Sequence, residues 1–170
     1  MKITKSRLKQ IIKESMQDEY KERLREMFMN GETEQAIELA RSAGMEDFLV
    51  GSTPMADLSG MNLSEINFTD AVLRHSRFEN ANLSKANMTG VDLRGAVLME
   101  ANMTNANLTN ANLSEANLSY SNLLDADLTG AVLRGVRLYN ANLKGAKLEH
   151  ADLTDILYNK DTQWPEGFEP

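Results

Sequence analysis

Residues 96–135 read AVLME ANMTN ANLTN ANLSE ANLSY SNLLD ADLTG AVLRG, eight pentapeptides with no break between them. The same beat extends outward to Ala56 on one side and Asp155 on the other, giving 20 pentapeptides in register. The central residue is Leu in sixteen of them, with Phe68, Phe78, Met88 and Met103 completing the set. Two positions earlier stands Ala in fourteen, and Met61, Ile66, Ser76, Val91, Ser121 or Val136 in the others. Between the two sits mostly Asn or Asp.

A period of five matches neither the 3.6 of a helix nor the 2 of an isolated strand. It suits a chain that runs extended for a few residues, turns a corner and repeats. Residues two apart in an extended segment point the same way, so Ala and Leu face one interior together. A small and a large side chain fill a space too narrow for two large ones. The other three positions face water and carry nearly all the charge. Stacked turns of such a chain bond through their backbones at about 4.8 Å, and stability comes from the stacking because one pentapeptide buries nothing alone.

Tandem A(D/N)LXX, as in Ala106–Asn110 and Ala126–Gly130, resembles the pentapeptide repeat family over residues 56–155. The resemblance implies an all-β solenoid, a right-handed quadrilateral β-helix with four pentapeptides per coil. Twenty repeats then make about five coils, a rod of roughly 24 Å. Residues 56–160 are expected to form the β-helix and 161–170 a C-terminal cap, since a bare end exposes strand edges. Tyr139, Tyr158, Trp164 and Phe168 are the candidate cap or dimer contacts. In the family, dimerisation uses a C-terminal element.

Residues 1–50 read as an α-helical appendage, and 51–55 (Gly51-Ser52-Thr53-Pro54-Met55) as a hinge. From Leu8, apolar residues recur at Ile11, Ile12, Met16, Tyr20, Leu24, Met27 and Phe28, one stripe at helical spacing. Asn30-Gly31 supplies a helix stop. A second, shorter helix is expected over about 33–43. Phe48-Leu49-Val50 are placed to plug the N-terminal end of the rod.

The 170 residues carry a net charge of −7, unevenly spread. Residues 1–13 hold five cations, among them Lys5, Arg7, Lys9 and Lys13, and no acid. Such a basic tip is a candidate docking point for an acidic partner, although exposed charges at a helix end are common and weak. An acidic chain with one basic tip is not expected to bind nucleic acid directly, because phosphate attraction needs cations across the docking face. On the rod, residues 20 apart share a face, so Arg74, Arg94 and Arg134 form a row, interrupted by Ser114, that suits forked bonding to carboxylate or phosphate. A neighbouring face repeats Thr69, Thr89, Thr109 and Thr129 beside Asn or Asp. This pattern is the repeat consensus and also the kind of hydroxyl row that orders water.

Catalysis has little support. The chain has no cysteine and only two histidines, His75 and His150. On the implied fold these lie about 19 Å apart, too far to share a metal or a triad. No phosphate loop, dinucleotide motif or zinc-protease motif occurs. The expectation is therefore no enzyme and no cofactor. No run approaches the ~18 apolar residues of a membrane span, and no secretory leader is visible, so a cytoplasmic protein of a bacterium or its virus is expected.

Three functions remain. The first is a scaffold or interaction protein with a protein partner. The second, implied by the resemblance, is a DNA-mimicking modulator of gyrase. The third is a virus structural or accessory protein, suggested by the opening MKITKSRLKQIIKE. A homodimer through the C-terminal end or the N-terminal helix fits any of them.

Overall fold

The computed structural model describes residues 57–170, together with Arg23 and Glu26, which are helical and exposed. The expected helices, hinge and N-terminal plug otherwise lie outside the described residues. From Asp57 onward each pentapeptide contributes one bridging residue, paired in parallel with the residue twenty further on, as in Asn62–Asn82, Asn67–Asn87 and Val72–Asp92. A step of twenty is four pentapeptides per coil. Backbone bonds of ordinary length knit successive coils, for example Leu63 N–H to Asn82 O at 2.7 Å and Asn82 N–H to Met61 O at 2.9 Å. The coil therefore has four faces. Face 1 is centred on Leu58, Phe78, Leu98, Leu118 and Leu138. Face 2 starts at Leu63, face 3 at Phe68 and face 4 at Leu73, each continuing at intervals of twenty.

The corners explain the rest of the repeat. Each central residue's carbonyl accepts from the N–H three positions on, as Leu108 O does from Ala111 at 3.0 Å. The third residue of that turn has φ between 56° and 69° in all twenty repeats, the left-handed value that a type II turn demands. Gly, Asn and Asp tolerate it. Glu65, His75, Lys85, Glu100, Glu115, Tyr120 and His150 adopt it as well, and all but His150 are held there by donating to the next coil, as Glu115 N–H does to Arg134 O at 2.8 Å.

The Asn or Asp before the centre has its own task. Its side-chain oxygen accepts from the N–H two residues on, as Asn107 does from Thr109 at 3.0 Å and Asn117 from Ser119 at 3.1 Å. An Asx turn thus satisfies the corner amide that the coil ladder leaves over. Polar identity at this position is set by backbone accounting rather than by a ligand.

Inside, the Ala and Leu columns are sealed. Leu73, Leu93, Leu113 and their equivalents up to Leu143 are buried, as are most of the alanines. Burying one leucine contributes about 2 kcal/mol, and Phe68 meets Phe78 edge to face at 6.4 Å. Two serines enter this interior. Ser121 Oγ donates to Leu118 O at 2.7 Å, whereas the buried Ser76 Oγ has no hydrogen-bond partner among the described residues.

The ladder runs past the twentieth repeat. Arg137 pairs with Leu157, and Asn142 pairs with Gln163, a step of 21 rather than 20. The additional residue is absorbed by the turn at Asn159–Thr162, where Thr162 Oγ1 donates to Leu138 O at 2.8 Å. Trp164, like Leu148, Leu153 and Ile156, then packs partly buried against the core. Tyr158 stands edge-on to it at 5.5 Å and Phe168 lies against it at 5.4 Å.

Candidate functional site

Because the interior is filled by its own side chains, whatever this chain recognises is met on the outside. Among the described residues no three His, Cys, Asp or Glu side chains are grouped to hold a metal ion. No helix among them is long and apolar enough to cross a membrane.

Face 4 carries the arginine row. Arg94 clasps Asp92 with two bonds, Nε at 2.9 Å and Nη2 at 2.8 Å. Arg74, one coil below, reaches up to the same carboxylate at 2.7 Å. The forked bond from Arg94, then that from Arg74, hold the Asp92 carboxyl down at about 2 against the opposing effect of burial. Arg134 makes the equivalent upward reach to Asp152 more loosely, at 3.9 Å. The structure thus brings Arg74 and Arg94 together on one acid and leaves Arg134 apart. Ser114, too short to fill the row, opens a surface notch of about 420 Å³ between Arg94 and Arg134, with Glu115 and Asp155 on its other wall. With its cations already answered by internal carboxylates, the row is an ion-pair ladder more than an open anion cradle.

Faces 2 and 3 are polar ladders. On face 2, Asn82 donates to Asn62 at 3.1 Å and Asn142 to Asn122 at 3.0 Å. On face 3, Thr69, Thr89 and Thr109 turn their hydroxyls to the Asn two residues earlier at 2.6 to 2.8 Å. Lys147 interrupts that face with a 2.9 Å bond to Asp127. Asp127 is itself held at about 2, by Thr129 first and Lys147 second.

Face 1 differs. Its outward positions from coil three upward carry Val97, Met99, Tyr120, Tyr139 and Leu157. Tyr120 is 57% exposed, Leu157 44% and Tyr139 36%, with Tyr158 at 43% where the face meets the last turn. Of the aromatics expected at the C-terminal end, Tyr158, Trp164 and Phe168 form one stack, while Tyr139 stands one coil back on the open face. Tyr120 was not singled out from the sequence. The signal was there: a tyrosine at the fifth position of a repeat, where Gly, Asn, Asp and charged residues otherwise gather. Lys5, Arg7, Lys9 and Lys13 lie outside the described residues.

Comparison with known proteins bears on the fold. No curated protein matches the chain. Among solved structures, a pentapeptide repeat protein (Rfr23) from the cyanobacterium Cyanothece 51142 is 32% identical, aligned over 64% of this chain and 87% of that one with a TM-score of 0.63. A second, alr5209 from Nostoc Pcc 7120, is 41% identical over 56% of this chain and 78% of its own, with a TM-score of 0.55. Proteins of this kind form right-handed β-helix solenoids and are generally non-enzymatic structural or interaction proteins. The family model for pentapeptide repeats matches in overlapping segments that together run from residue 56 to 155, so the chain belongs to the pentapeptide repeat family.

Proposed function

We propose that this chain is a non-enzymatic, cytoplasmic interaction protein, a rigid rod that binds a protein partner through face 1. One observation carries the reading. Faces 2, 3 and 4 present mainly Asn, Thr and ion-pair ladders, with Val72 their one large exposed apolar side chain, whereas face 1 leaves Tyr120, Tyr139 and Leu157 in water. Tyrosine is favoured at protein interfaces because a large ring is ordered at little entropic cost while its hydroxyl stays wet. The rod's stacked backbone bonds keep that surface pre-organised, which lowers the cost of binding.

Affinity capture from source-cell lysate tests this with three full-length baits: wild type, Tyr120→Ser/Tyr139→Ser and Thr89→Val/Thr109→Val. A partner held by wild type and the threonine variant but lost by the tyrosine variant supports the reading. A partner held equally by all three overturns it.

A second reading, a DNA-mimicking modulator of gyrase, draws on the way cations are used. Arg74, Arg94, Lys85 and Lys147 are paired with acids. Asp70, Glu100, Glu115, Asp125 and Asp155 make no ion pair among the described residues, so the net negative charge is left at the corners. Inhibition of gyrase supercoiling at sub-micromolar protein supports it; no effect at tens of micromolar removes it.

A further inference from the structure

We propose that the open part of the C-terminal end is a docking site for a partner protein's extended segment, taken up as one more parallel strand along faces 3 and 4. This surface is separate from face 1 and does not rest on the reading of that face.

Backbone pairing comes first. On faces 1 and 2 the fifth coil is covered, with Leu138 N–H donating to Leu157 O at 2.7 Å and Leu143 N–H to Gln163 O at 2.6 Å. The ladder then stops. The N–H groups of Leu148 and His150 on face 3, and of Leu153 and Asp155 on face 4, find no acceptor among the described residues. Ala146 O and Ala151 O find no donor among them either. One coil below, all six equivalents are bonded, as in Leu128 N–H to Lys147 O at 2.9 Å and Leu133 N–H to Asp152 O at 2.8 Å. Such an edge invites another strand.

The interior is open at the same place. Leu128 and Leu133 are buried, whereas Leu148, Ala151 and Leu153 are only partly so. Beside face 3 a groove of about 370 Å³ runs between Ala146, Leu148 and Glu149 and the turn holding Glu166 and Phe168. A whole further coil is barred, because residues 157–163 already pair along faces 1 and 2. Two pentapeptides are not.

The occupant follows from what it must complete. An added strand that repeats the rungs below turns a small and a large apolar residue inward, two apart, on each face. Its outward residues stack on those of the coil beneath, as Lys85 does on Glu65 at 3.2 Å and Lys147 on Asp127 at 2.9 Å. Here that sets cations over Glu149 and Asp155, which make no ion pair among the described residues. Residues 147–170 carry two cations against six carboxylates. A basic segment is therefore attracted, whereas a second copy meeting end to end brings like charge to like.

NMR hydrogen exchange on the full-length chain tests this, with the peptide acetyl-ANLKNANLTK-amide as probe. Its two lysines fall over Glu149 and Asp155, and its control is the same residues in reverse order. The expected result is fast exchange at Leu148, His150, Leu153 and Asp155 in the free chain, slowed about tenfold by the forward peptide and unchanged by the reverse one. Glu149→Lys/Asp155→Lys is expected to weaken the forward peptide about tenfold while leaving exchange lower in the rod unmoved. Slow exchange at the four amides before peptide is added overturns the proposal. The edge is then already covered, by this chain or, where protection fades on dilution, by a second copy. No slowing by the forward peptide overturns it too, as does equal slowing by both peptides or protection confined to another face.

Discussion

The carboxylate of Asp70 lies over Gly90 in the space that a Cβ there would occupy. The two residues stand at the same corner of consecutive coils, and the glycine has φ +66°. At Gly135, φ is nearly the same at +65°, yet a Cβ would meet only Glu115 Cγ at an ordinary 3.7 Å.

These two glycines separate backbone cost from crowding. Gly135→Ala is expected to lower stability by about 1 kcal/mol, the penalty of a left-handed alanine. Gly90→Ala is expected to cost more, because Asp70 must also turn aside. Asp70→Ala should recover the excess but not the backbone share. Thermal unfolding of the three variants and wild type measures both terms; equal losses at the two glycines would show that Asp70 yields freely.

The two buried serines predict opposite signs. Ser76→Ala removes a hydroxyl with no partner among the described residues and is expected to stabilise by about 1 kcal/mol. Ser121→Ala deletes a made bond to Leu118 O and is expected to be neutral or destabilising by up to about 1 kcal/mol. Denaturant midpoints at constant slope read the pair, and a stabilising Ser121→Ala would contradict it.

Asp92 ties stability to acid. Its folded pKa is lowered from 3.8 to about 2, so its contribution is fully present above the unfolded value near 4 and is lost as pH falls through 2. The lost contribution is up to about 2 kcal/mol, with only 17% of the side chain exposed. Asp92→Asn is expected to destabilise at pH 7 by a similar amount and to flatten the stability curve between pH 4 and 2. An unchanged acid limb in urea titrations would remove Asp92 from that role.

Core truncations should depend on place in the stack. Leu108→Ala, in the middle of the rod and fully buried, is expected to cost 2 to 5 kcal/mol on the general scale of such cavities, about 3 at its centre. Leu153→Ala, in the last repeat and only half-buried, is expected to cost markedly less. Unfolding midpoints decide between this and a uniform cost per leucine.

Much of the fold was legible because each choice is made twenty times. Ala and Leu two apart announce an inward pair, and the structure buries both. The period of five does not itself say how many pentapeptides close a coil; that number came from family resemblance and is carried here by bridges such as Asn62–Asn82. The reason for Asn or Asp before the centre was hidden, since it depends on which amide the coil ladder leaves over. The arginine row was legible as a row but not as a charge balance. Asp92 precedes Arg94 by two residues but follows Arg74 by eighteen, and only stacking brings both guanidinium groups to it. Face 1 was half seen: Tyr139 was read as an end contact, and Tyr120 hid in a position where its neighbours in the pattern are turn formers.

The pairing of Asn142 with Gln163 instead of residue 162 keeps the final rung in step with the coil beneath it, because the added residue is spent in the turn before it. Thr162 is buried and Gln163 is not, in the order of Ala141 and Asn142 below, so Trp164 comes to stand where the next Leu would. Its ring, stacked with Tyr158 and Phe168, lies over the core in place of another small-and-large pair. One inserted residue thus changes the last step from a stair into a lid of rings, a surface on which a further complete coil of Ala and Leu finds no matching seat.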